Sequence, residues 1–175
     1  LSKSIDELMK KEYGVKIEKT DFNIEEFMNK ESFNEETKEK MKNADILILP
    51  EFNFRESGSN GFYEESADFR KYLRSELSDI SIEFYENNGE YKSLGLHSGD
   101  IWMPILYLVG EWALGRGLDY IVNLSHEYIV NKYNISKEEE DSKIAHAIYY
   151  TKKNDETTII KYDGPVSGLD SVFKK

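Results

Sequence analysis

The spacing of apolar residues changes along the chain, and each change predicts an element. Behind Ser4, residues Ile5, Leu8 and Met9 fall on one face at helical spacing, which predicts a short helix from Ser4 to Tyr13, ended by Gly14. Val15-Lys16-Ile17-Glu18-Lys19 then alternates with period two, as a strand does. From Thr20 to Asn43 the chain is charged and helical. Asp21 or Asn23 is placed to cap a first helix striped by Ile24, Phe27 and Met28, and Asn34 to cap a second that runs through Lys42. Opposite charges at helical spacing, such as Glu36 and Lys40, suit a solvent-facing surface.

Ile46-Leu47-Ile48-Leu49 has no polar alternation, which predicts a strand buried on both faces and ended by Pro50. A loop from Glu51 to Asn60, an amphipathic helix from Phe62 to Leu77 and an alternating strand over Ile80–Phe84 follow, then a turn at Asn87-Asn88-Gly89. Strand, helix, strand, helix, strand over residues 15–85 predicts a small parallel sheet with strands near 15–19, 46–50 and 80–85. Residues 101–133 read as a pair of apolar helices. Asp100 would cap the first, Pro104 would lie in its first turn, and Gly115 and Gly117 would break it from a second that begins at Leu118. Lys137–Lys143 reads as a charged linker and a possible subdomain joint. Ala145–Lys152 and Thr157–Tyr162 read as a hairpin (145–162), and a last short helix is expected within 167–174. The fold expected is thus a single α/β domain over 1–175, a small mostly parallel sheet with flanking helices.

Composition narrows what such a domain does. The 175 residues suit one domain, and 39% hydrophobic content is enough for a core. The net charge of -11 repels phosphate backbones, and lysines are scattered among glutamates, so no nucleic-acid partner is expected. Zero cysteines exclude disulfides, thiolate metal sites and thiol nucleophiles, and fit a reducing, cytoplasmic setting. The opening Leu1-Ser2-Lys3-Ser4 lacks the apolar stretch of a secretory leader. Glu111, Arg116 and Asp119 interrupt the apolar run that starts at Ile101, which argues against a membrane span.

The candidate chemistry is sparse. Asp45-Ile-Leu-Ile-Leu-Pro50-Glu51-Phe52 resembles the stretch of nitrilase-type amidohydrolases in which an apolar strand runs into Pro-Glu, the glutamate serving as general base. Glu51 would take that place, but the family also needs a nucleophilic cysteine and this chain has none. The position still matters, because ligands gather beyond the carboxyl ends of parallel strands, where Glu51, Asn53, Arg55 and Glu56 are candidate ligand-binding residues. His97-Ser98-Gly99-Asp100 carries imidazole, hydroxyl and carboxylate together. His97 and Asp100 join Glu51 as catalytic candidates, although adjacent residues rarely achieve the geometry of a triad and a helix cap explains them as well. Ser125-His126-Glu127 does not converge on a helix, and nothing in the spacing of His97, His126 and His146 supports a metal site. No phosphate loop follows the first strand. Neither metal nor cofactor is expected.

Strand Ile80–Phe84, the apolar region from Ile101, the hairpin Ala145–Tyr162 and the closing Tyr162-Asp163-Gly164-Pro165 together resemble accessory modules of bacterial defence systems, the effector-associated constant components. That resemblance is architectural, covers the C-terminal half and implies a bacterial, cytoplasmic, non-enzymatic adaptor. The expected function is accordingly a protein-interaction module, with a protein partner or self-association through the 101–133 helices. The alternative is a small-molecule-binding protein or hydrolase with a polar site after the 46–50 strand.

Overall fold

The computed structural model describes residues 14–31, 33–52, 60–86, 92–94, 99–110 and 117–170. Its centre is a six-stranded mixed sheet in the order β1-β8-β7-β6-β2-β4. These strands are β1 (Gly14–Thr20), β2 (Ile46–Leu49), β4 (Ile82–Phe84), β6 (Ile101–Leu108), β7 (Ile144–Lys153) and β8 (Glu156–Pro165). A short parallel pair, β3 (Phe62–Tyr63) and β5 (Ser93–Leu94), forms a separate ribbon.

The helices form where capping and periodicity place them. Asn23 accepts from the amides of Glu25 and Glu26 and starts α1 (Ile24–Lys30), and Asn34 accepts from Thr37 and starts α2 (Glu35–Lys42). α3 (Ser66–Glu76) buries Phe69 and Leu73. α4 (Leu118–Lys132) buries Ile121, Val122, Leu124 and Ile129. α5 (Lys137–Glu140) opens with a capping box between Ser136 and Glu139, and α6 (Val166–Leu169) follows β8 directly.

Two apolar layers sandwich the sheet. On one face Ile46, Ile48, Leu106, Leu108, Ala147 and Tyr149 meet α3, α4 and α6. On the other, Leu47, Leu49, Ile105 and Tyr107 meet Ile24 and Met28 of α1 and Met41 of α2. All four β2 residues are buried, as a run without polar alternation requires.

Several expectations change. Ile101–Leu108 is a strand, not the first of two apolar helices. It lies inside the sheet, antiparallel to β2 and parallel to β7, and a fully apolar run of eight fits a two-sided strand as well as a buried helix. Pro104, which the sequence places in a helical first turn, falls where the β6–β7 register shifts between Trp102 and Ile105, the kind of irregularity that tolerates a residue without an N–H. Of the expected parallel trio, only β2 and β4 pair in parallel. β1 is antiparallel to β8 at the far edge. Its mostly exposed side chains do not fit the interior of a sheet. The helix expected from Phe62 starts at Ser66, with Phe62 and Tyr63 extended, and the 137–143 linker contains α5. The hairpin is present as β7–β8, with Asn154 at φ 56° in its two-residue turn. The expected helix at 4–13 and the turn at 87–89 lie outside the described residues. No helix among the described residues is long and apolar enough to cross a membrane.

Candidate functional site

Register alone brings together side chains that are far apart in sequence. Trp102 of β6 stands opposite His146 of β7, and His146 stands opposite Asp163 of β8. Period-two alternation puts all of them on one face of the sheet. The Trp102 and His146 rings stack, with centroids 4.0 Å apart and planes 21° apart. Asp163 Oδ1 lies 2.5 Å from His146 Nδ1, and Asp100 Oδ2 lies 2.8 Å from Nε2. Carboxylate oxygens only accept, so both contacts are made together only when both ring nitrogens carry hydrogen.

Tyr63 extends the row. Its ring centroid is 5.5 Å from that of Trp102, and its hydroxyl is hydrogen-bonded to Glu51. Burial, then the Glu51 charge and hydrogen bond, push the Tyr63 phenol well above the usual tyrosine range. Glu51 is held by a bridge to Gly61, in which its amide donates to the Gly61 carbonyl at 2.8 Å. At Gly61 an added Cβ would run into the Leu94 side chain, so the close approach of the β2 exit to the β3–β5 ribbon needs glycine.

Trp102 is a wall shared by two cavities. One, of about 180 Å³, is lined by Tyr63, Trp102, His146, Lys161 and Asp163. The other, of about 260 Å³, is lined by Glu64, Glu65, Asp100, Trp102, Tyr133 and Glu139, with Lys143 the cationic residue on its rim. Behind the larger cavity, Glu65 is 6% exposed and is the acceptor of a buried network. Tyr128 donates to it at 2.6 Å, Lys132 at 2.7 Å, and Tyr133 donates to its other oxygen. Burial alone would raise the Glu65 carboxyl, but these donors outweigh it and hold it below the usual carboxylate range. Lys132 also reaches Asp68 at 3.0 Å, so the network ties α3 to the end of α4.

Of the residues singled out from sequence, Glu51 and Asp100 reach this region. Asn53, Arg55, Glu56 and His97 lie outside the described residues. Asp100 does not cap a helix; it precedes β6 and holds His146. His126 pairs with Glu140 across α4 and α5, away from the cluster. Trp102, His146 and Asp163 carry no shared motif, and only the pairing of β6, β7 and β8 assembles them. Asp100 and Asp163 sit on opposite nitrogens of one ring, so their oxygens do not converge. Among the described residues no group of three or more His, Asp or Glu is placed to hold a metal ion. Comparison of the chain with family models, curated proteins and solved structures gives no match.

Proposed function

We propose that this protein binds a small organic cation, a primary amine or guanidinium compound, against Trp102 at the end of the sheet where β2 exits. The observation that carries this reading is the indole wall shared by two cavities, the larger of which carries four carboxylates, Glu64, Glu65, Asp100 and Glu139, against one lysine, Lys143. An aromatic face and a carboxylate together attract a desolvated cation, and an acidic rim rejects anions. His146, engaged by both Asp100 and Asp163, stacks on Trp102 and fixes the orientation of the indole wall. Calorimetric titration with a short aliphatic diamine and a guanidinium compound, alongside a matched neutral amide and a carboxylate, tests the reading. Dissociation constants of about 0.1–1 mM are expected for the cations, within the range for ligands of so few atoms. Trp102→Ala should abolish that binding and Asp100→Asn should weaken it. Equal binding of the carboxylate, or no cation binding at about 10 mM, a level weaker than any site of this kind, would reject the proposal.

A second reading, the adaptor role implied by the resemblance to defence-system accessory modules, is favoured by a different observation: the exposed edge strand β1. Within the 101–133 region, Ile101–Leu108 is interior and α4 buries Ile121, Val122, Leu124 and Ile129, while Tyr120 and Tyr133 are exposed.

A further inference from the structure

We infer that β1 is a self-pairing edge, through which two copies join their sheets antiparallel about a two-fold axis at Ile17. β1 ends the sheet, and its outer side has no strand partner among the described residues. Two of the exposed large apolar residues, Val15 at 39% and Ile17 at 59%, lie on it. They stand opposite Tyr162 and Ile160, whose side chains are buried, so the apolar face of the sheet runs out to this open edge.

The ladder fixes which backbone groups are free. The two-residue turn makes Lys153 and Glu156 the closing hydrogen-bonded pair of the β7–β8 hairpin. Counting along β8 by alternation, Thr157, Ile159, Lys161 and Asp163 turn their amides toward β1. Their partners Thr20, Glu18, Lys16 and Gly14 turn inward to meet them. Val15, Ile17 and Lys19 therefore point their N–H and C=O groups outward. A two-fold axis at Ile17 pairs Ile17 with Ile17 of the second copy and Val15 with Lys19, the register in which all of these outward groups are satisfied.

The same axis sets Lys16 opposite Glu18 of the second copy, and Glu18 opposite its Lys16. These are non-hydrogen-bonded pairs, in which side chains approach most closely. Within one chain Lys16 faces Lys161, a like charge, and neither Lys16 nor Glu18 has an ion-pair partner among the described residues. Lysine on an edge strand usually discourages pairing. Here its counterion is present on an identical strand in the matching register, so the charge pattern selects a second copy over an arbitrary strand.

Sedimentation velocity over a concentration series to about 1 mM, the weak limit for specific association, tests this on the intact chain. A dimer is expected. Lys16→Glu and Glu18→Lys each place like charges opposite one another and should raise the dimer dissociation constant at least tenfold. The Lys16→Glu/Glu18→Lys double variant restores opposite charges and should recover it. Ile17→Pro removes the amide at the axis and should give monomer, with circular dichroism of the monomer unchanged. A protein that is monomeric throughout overturns the inference. So does a dimer insensitive to Ile17→Pro, or charge variants whose combination fails to recover association.

Discussion

Replacing Glu65 by alanine separates the network that joins α3 to α4, and the structure allows its cost to be built from parts. Tyr128 is 6% exposed, so its hydroxyl, which donates to Glu65 at 2.6 Å, loses its acceptor in a buried setting, a loss of about 1–3 kcal/mol. Lys132 is different. Its side chain is 35% exposed and keeps Asp68 at 3.0 Å, so screening limits its contribution to about 1 kcal/mol or less. Tyr133 is 44% exposed, and its hydroxyl returns to water at little cost. The sum is about 1–4 kcal/mol, or roughly 2–16 °C in Tm for a chain of this size. Urea denaturation followed by circular dichroism reads it as a lower midpoint at unchanged slope. The pH dependence has a definite sign. Buried donors hold the Glu65 carboxyl below its ordinary value of 4.5, so its stabilisation is complete above about pH 4.5 and is lost as pH falls through the folded-state value. The difference between parent and variant should therefore shrink toward pH 3. A cost under about 0.5 kcal/mol, the usual range for surface substitutions, or a difference equally large at pH 3 and pH 7, would refute the reasoning.

Three further outcomes follow from buried hydroxyls and tight packing. Fully buried Tyr149 donates to Ser125 at 3.0 Å, so Ser125→Ala should cost about 1–3 kcal/mol in urea unfolding, and adding Tyr149→Phe should recover part of it. Gly168→Ala puts a methyl group against the Tyr162 hydroxyl, which donates to the Pro165 carbonyl, and should lower stability by about 1–3 kcal/mol on calorimetry. Burial pushes Tyr107 and Tyr162 up to about 12 from 10.0, so each contributes stability below pH 10 that is lost as pH rises toward 12. Phenolate absorbance should accordingly appear late and together with unfolding.

Local features were legible in the sequence. The unbroken Ile46–Leu49 run marked a buried strand, Asn23 and Asn34 marked helix starts, and the turn at Asn154 marked the hairpin, because each depends on neighbours along the chain. Ile101–Leu108 is not distinguishable as strand or helix from sequence, because an apolar run of that length has no period to separate the two. The expected parallel trio does not form because order within a sheet is set by pairing among distant strands: β1 joins β8, and β6 lies between β7 and β2. Glu51 and Asp100 were picked out from sequence. Trp102, His146 and Asp163 were not joined, since each is an ordinary residue until the register sets it beside the others.

The β1–β8 ladder has a consequence for biosynthesis. β1 leaves the ribosome before every other described strand, and its partner β8 is the last of them to be made. At about 5–20 residues per second, β1 waits on the order of 10–30 s with both edges open. The β7–β8 hairpin, a local structure that forms in microseconds once synthesised, then closes the inner edge. Chaperone engagement of the nascent chain should therefore persist until β8 has emerged, whatever the stability of the finished sheet.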